Sequence, residues 1–102
     1  MDRVERLRRF VEASPGDPFP RYALALELKG RGDQQGAAAE LQALLRLSPD
    51  YLAAYLQLGM LLQALGRPGE ARGAFQSGQE IARRQGDGHA LTELTSAIDA
   101  LG

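Results

Sequence analysis

The chain repeats itself with a period of 34 residues. Leu24 returns as Leu58, and Leu28 returns as Leu62. The same spacing relates further pairs of turn and small residues: Pro15 and Pro49, Gly32 and Gly66, Ala37 and Ala71. A fixed period of this length is typical of stacked two-helix units, each of which buries its apolar side only against its neighbours. The period therefore predicts helix pairs stacked along the chain in place of one globular core.

Apolar residues recur at spacings of three and four, which predicts amphipathic helices throughout and no strands. We predict six helices: about 2–13, one that has Pro20 in its first turn and ends at the Gly30–Asp33 segment, one through Ala37–Leu45, one through Tyr55–Leu62, about 68–84 and about 89–101. The connections are short, so successive helices should be antiparallel neighbours. The predicted fold class is all-α, an antiparallel helix-pair stack (α-solenoid) in a right-handed superhelix.

Particular residues should shape these helices. Val4, Leu7, Phe10 and Val11 form one apolar stripe, so we expect Phe10 to face the core. Gly32 and Gly66 follow helix ends, where a left-handed backbone favours glycine. Gly59 lies within a helix, which suggests that a second helix approaches closely there.

Composition and net charge exclude several classes of function. The formal net charge is -1, and there is no Cys. No overall positive field exists to attract nucleic acid or an anionic membrane, and thiol chemistry is excluded. Met1 begins a charged stretch instead of a signal peptide, and no apolar run approaches the roughly 20 residues of a membrane span. We therefore expect a cytoplasmic protein that binds neither nucleic acid nor membrane.

The repeated units resemble tetratricopeptide repeats (TPRs), as found in small bacterial-type TPR proteins. The motif residues match at two units, listed here in chain order: Leu24, Ala25, Leu28, Gly32, Ala37, Leu41 and Pro49, then Tyr55, Leu58, Gly59, Leu62, Ala71, Phe75 and Gly78. The first unit departs from the pattern with Arg21 at the bulky aromatic position, and the second has Arg83 where the closing proline would be.

The resemblance covers nearly the whole chain and suggests one TPR-like domain over 1–102. Residues 1–15 resemble the second half of an earlier unit, 18–51 form repeat 1, 52–84 form repeat 2, and 88–102 resemble a capping helix that matches at 36-residue spacing. TPRs are generally protein-interaction scaffolds, so the resemblance implies a non-enzymatic adapter that needs no cofactor. A carboxylate clamp is not expected, because Tyr22 and Leu26 occupy places where the clamp carries Lys and Asn.

Helical geometry predicts where a partner binds. The first helix of each unit is apolar on a second side, away from its core residues, and such helices line the concave surface of a stack. The predicted groove consists of Phe19, Tyr22, Leu26, Lys29, Ala53, Leu56, Met60, Gln63, His89, Thr92 and Ser96. An apolar groove with a polar margin suits a peptide or an amphipathic helix of another protein. Two alternatives remain open: these side chains could cover one another, or the groove could form a symmetric homodimer interface.

Three motifs receive ordinary structural interpretations. His89 is the only histidine and has no nucleophile and orienting acid at triad spacing, so neither catalysis nor a metal site is expected. The Gly30–Asp33 segment follows a helix and not a strand, which favours an inter-helix turn over a phosphate loop. The arginines near the N-terminus alternate with acidic residues, which indicates a solvated helix side with local ion pairs.

Overall fold

The structure is a computed structural model that describes residues 1–102. It contains six helices and no strands: α1 (Arg3–Ala13), α2 (Pro18–Gly30), α3 (Gln34–Leu47), α4 (Leu52–Ala64), α5 (Pro68–Gln85) and α6 (Gly88–Leu101). The all-α fold class is thereby confirmed. The contacts divide the chain into two compact units, Met1–Tyr51 and Leu52–Gly102, and each holds three helices.

Aspartates fix where most of the helices begin. The side chains of Asp2, Asp17, Asp33 and Asp87 each accept a hydrogen bond from a backbone N–H in the first turn of α1, α2, α3 and α6. Such a cap contributes about 1 kcal/mol. The helix α2 starts at Pro18, because Asp17 caps it and proline suits the first helical position. Pro20 lies in the first turn of α2, as expected.

Glycines end the first helix of each repeat in the same way. Gly32 and Gly66 have φ values of 88° and 76°, which confirms the expected left-handed backbone. The residue after each glycine closes the turn: the N–H of Asp33 donates to the carbonyl of Leu28, and the N–H of Arg67 donates to that of Leu62, both at 2.9 Å. This six-residue closure satisfies carbonyls at the helix end and reverses the chain within three residues.

In the first unit, α2 is the central helix and packs against both α1 and α3. One side of α2 buries Leu24, Ala25 and Leu28. The helix α3 contributes four core residues, Ala37, Ala38, Leu41 and Leu44, and α1 contributes Leu7. No polar or charged residue is buried anywhere in the chain, so the core is held by apolar contact alone.

The expectation that Phe10 faces the core is wrong. Leu7 is buried and Val4 and Val11 are half-buried, but Phe10 is 60% exposed. The apolar stripe of α1 is wider than the strip that α2 covers. Because α2 is the helix on which α1 packs, the outer edge of the stripe remains open to solvent.

In the second unit, α5 packs against both α4 and α6 around the fully buried ring of Phe75. A Cβ on Gly59 would collide with that ring, which confirms the close helix approach expected there. Gly78 of α5 is small for the same kind of reason, since a Cβ there would lie 2.8 Å from the Cβ of Tyr55 in α4. Leu94 is the buried residue of α6.

Candidate partner-binding faces

The helix α2 carries the first part of the predicted groove on the side opposite its core residues. We call Phe19, Tyr22, Leu26 and Lys29 the α2 face. Phe19 is 66% exposed and Leu26 is 37% exposed. Tyr22 is half-buried, with its ring centroid 5.2 Å from that of Tyr51 at an angle of 48°. The α2 face therefore combines accessible apolar side chains with one aromatic ring that is already supported by a neighbour.

The helix α4 carries four more of the predicted residues, Ala53, Leu56, Met60 and Gln63, which we call the α4 face. Met60 is 39% exposed, Ala53 and Gln63 are exposed, and Leu56 is half-buried. Two core residues of α4, Ala54 and Leu61, lie outside the set expected from the motif. The sequence did not single them out because α4 is apolar nearly all round, so helical spacing alone does not rank its sides.

The polar residues predicted for the groove margin lie on α6. His89, Thr92 and Ser96, the α6 face, are all exposed. The His89 Nε2 lies 3.2 Å from a Glu93 carboxylate oxygen, and the Thr92 hydroxyl donates to the Gly88 carbonyl at 3.0 Å. Each predicted set thus shares one side of its own helix. That the three faces line a common groove stays a prediction from the repeat period.

The strongest electrostatic cluster lies at the end of α2. The Arg31 guanidinium contacts a carboxylate oxygen of Asp2 at 2.6 Å and one of Glu27 at 3.0 Å, and Arg3 contacts Glu27 at 2.8 Å. The hydrogen bond from Arg31, aided by the Val4 backbone N–H, lowers the pKa of Asp2 to about 2. The two carboxylates raise the pKa of Arg31 in turn.

These ion pairs decide two of the sequence interpretations. The Gly30–Asp33 segment is an inter-helix turn, and its arginine is already held by two carboxylates of the same unit. Local ion pairs were expected for the N-terminal arginine cluster. Its arginine Arg3 instead pairs over a long sequence distance, with Glu27 of α2. Sequence spacing could not reveal the contacts between α1 and α2: Arg3 contacts Glu27, and Asp2 contacts Arg31, which is 29 residues away.

The structure offers no other obvious chemical site. No group of three His, Asp or Glu side chains comes together as a metal site would require. None of the six helices has both the length and the apolarity to cross a bilayer. The exposed apolar faces are therefore the features that most need a functional explanation.

A family model described as tetratricopeptide repeat matches residues 28–94, about two thirds of the chain. A TPR repeat-containing protein of Pseudomonas aeruginosa is 30% identical over 92 residues, which are 90% of this chain and 88% of that protein. The crystal structure of a TPR domain protein from Salinibacter ruber has a TM-score of 0.79 and 36% identity, covering 83% of this chain and 94% of that one. The solution structure of protein BPP2914 from Bordetella parapertussis has a TM-score of 0.82 and 28% identity, covering 99% and 88%.

The chain belongs to the tetratricopeptide repeat family. Its helical fold and the fit to known TPR domains agree with the motif residues found in the sequence. The family defines a class of protein-interaction modules, which are generally non-enzymatic scaffolds.

Proposed function

We propose that this chain is a binding module that holds a peptide or helix of another protein through the α2 face and the α4 face. It acts by binding and not by catalysis. The observation that carries the proposal is the exposure of Phe19, Leu26 and Met60 on helices whose other side is already buried. Part of each side chain remains in water after folding, and contact with a partner would remove that remaining surface from water.

The composition of the two faces supports a partner with apolar side chains. The α2 face offers two aromatic rings and a leucine, and the α4 face offers a flexible methionine, a residue type that adapts to differently shaped ligands. Lys29, Gln63 and the α6 face supply polar groups, which in binding sites orient a ligand. An amphipathic segment fits this combination, because its apolar side would contact the faces while its polar side stays in water.

The test begins by identifying a partner that co-purifies with the chain from its native cells and then titrating that purified partner. Leu26→Glu and Met60→Glu each place a charge on a binding face. Each should weaken the complex by roughly tenfold or more, as expected for a central apolar contact. Leu47→Glu on α3 is the matched control, since Leu47 is an exposed leucine (59%) outside both faces.

Circular dichroism would verify that all three variants stay folded, because none of the residues is buried. Wild-type affinity in both Leu26→Glu and Met60→Glu would contradict the proposal. Light scattering tests the alternative of self-association: a dimer that Met60→Glu converts to monomer would replace the adapter function with a homodimer interface.

A further inference from the structure

The exposed aromatic on α1 occupies a position that is buried in the other repeats. Counting by the 34-residue period, Phe10 corresponds to Leu44 in α3 and to Gly78 in α5. Leu44 and Gly78 are both buried, whereas Phe10 is 60% exposed. By the repeat period, α1 matches the second helix of a repeat, and its equivalent surface is exposed in this structure.

In repeat 2 the first helix covers part of this position. A Cβ on Gly78 would lie 2.8 Å from the Cβ of Tyr55 in α4, the first helix of its own repeat, and 3.0 Å from a methyl group of Leu94 in α6. At the place equivalent to Tyr55, α2 carries Arg21, whose guanidinium contacts Glu40 of α3 at 3.4 Å. Both side chains of that pair are largely shielded, with 16% and 19% exposure. The contact between first and second helix thus includes a charge pair in repeat 1.

The charge at this contact is reversed on α1. By the same period Arg6 corresponds to Glu40, so a cation replaces the anion. Arg6 and Arg9 form no ion pair with any carboxylate of the chain. They line a shallow depression together with three other exposed residues, Met1, Phe10 and Ala13. We call these five residues the α1 patch.

We propose that the α1 patch binds an acidic amphipathic helix of a partner protein, in the place that the first helix of a repeat takes against the second. A carboxylate of that helix pairs with Arg6, as Arg21 pairs with Glu40 in repeat 1. Apolar side chains of the same helix cover Phe10 and Met1. This surface lies on α1 and is distinct from the α2 and α4 faces.

A second copy of the chain fits the α1 patch poorly. Two α1 helices packed through their patches would bring Arg6 and Arg9 of each copy together, and like charges repel at such a contact. By its 36-residue spacing, α6 carries Leu91 at the position equivalent to Arg21 and Tyr55. A second copy that packed through α6 would therefore place no carboxylate opposite Arg6. The unpaired arginines therefore favour an acidic helix from a different protein.

The chain itself provides matched probes for this proposal. A labelled peptide with the sequence of Asp17–Gly30 and the change Arg21→Glu carries the acidic residue, and the unchanged sequence is the control. By fluorescence anisotropy, the acidic peptide should bind the wild-type chain roughly five- to tenfold more tightly, because attraction at a surface pair replaces repulsion. In the chain variant Arg6→Glu the preference should reverse.

Two phenylalanine variants locate the binding surface. Phe10→Ala should abolish binding of the acidic peptide, and Phe19→Ala should leave it intact, while both chains stay folded because both rings are exposed. The opposite result would assign the peptide to the α2 face and overturn the proposal. Equal affinity of the two peptides for the wild-type chain would also overturn it, as would a dimer that Phe10→Ala dissociates.

A short isolated peptide can lack helical structure in water, so the same sequence is also tested as a fusion to the chain. A copy of residues Asp17–Gln34 is placed directly before Met1, which preserves the 34-residue spacing. The fusion with Arg21→Glu in the copy should melt several degrees above the unchanged fusion. Arg6→Glu should reverse that order. Identical melting temperatures, together with no peptide binding, would overturn the proposal.

Discussion

The ring of Phe75 fills the space beside Gly59 that a methyl group would need. Phe75 is fully buried, so the ring has no room to move away. The equivalent positions in repeat 1 are Ala25 and Leu41, which are also buried. The two repeats therefore fill this contact in opposite ways. Repeat 1 has the larger residue in its first helix and the smaller one in its second helix, and repeat 2 has the reverse.

Gly59→Ala should destabilise the chain although alanine favours a helix by about 1 kcal/mol. The added methyl group forces the Phe75 ring out of its position, and overpacking of this kind costs about 1–3 kcal/mol. Urea unfolding followed by circular dichroism measures the change. Adding Phe75→Leu recreates the pair of repeat 1 and should recover part of the loss, with a coupling of about 0.5–3 kcal/mol. Strictly additive effects would contradict a shared volume.

Gly78→Ala should lower the free energy of unfolding by about 1–3 kcal/mol. A Cβ there lies 2.8 Å from the Cβ of Tyr55 and 3.0 Å from a methyl group of Leu94. The Tyr55 atom is attached to the backbone, so α4 itself would have to shift. Gly73→Ala is the control in the same helix, where a Cβ meets nothing within 4 Å. That variant should be more stable than the wild type by about 0.5–1 kcal/mol.

Gly66→Ala should cost about 1–2 kcal/mol because the backbone is left-handed there, with φ of 76°. The space around it is open, so the loss would come from the backbone alone. Gly69→Ala, three residues later in α5 and equally open, should not be destabilising. Thermal unfolding of both variants makes the comparison. Equal stability of the two would argue that the turn adopts another backbone conformation.

Asp2→Asn should lower the melting temperature at neutral pH but not in acid. Asparagine keeps the cap of α1, so the change removes mainly the pairing with Arg31. The folded pKa of Asp2, about 2, lies below the ordinary aspartate value of 3.8. A lowered folded pKa means that the stabilisation is present above about pH 4 and is lost as the pH falls towards 2.

The measurement for Asp2 is the difference in melting temperature between wild type and Asp2→Asn from pH 7 to pH 2. The difference should be small throughout, because both side chains of the pair are 43% exposed and solvent screens them. High salt should reduce it further at pH 7. A difference that stays constant down to pH 2 would show that the charge of Asp2 plays no part.

The repeat period predicted most of the fold because the features that define it are local. Gly32 and Gly66 end helices through their own backbone freedom, and the spacing of Leu24 and Leu28 defines one side of α2. The small residue at Gly59 also indicated a close approach before any contact was known. The exposed residues of the α2 and α4 faces were predicted from helical geometry, but their role in binding a partner is a proposal.

The sequence by itself determined the fold class, the repeat register and the turns, since each depends on residues within a few positions of one another. Only the tertiary structure decided that Phe10 stays exposed and which charges pair over long sequence distances. Phe10 belongs to an apolar stripe in the sequence, yet it is exposed because α2 covers only part of α1. Arg31 finds Asp2 because folding brings the end of α2 beside the start of α1. Burial and long-range pairing depend on neighbours, and neighbours exist only once the helices have packed.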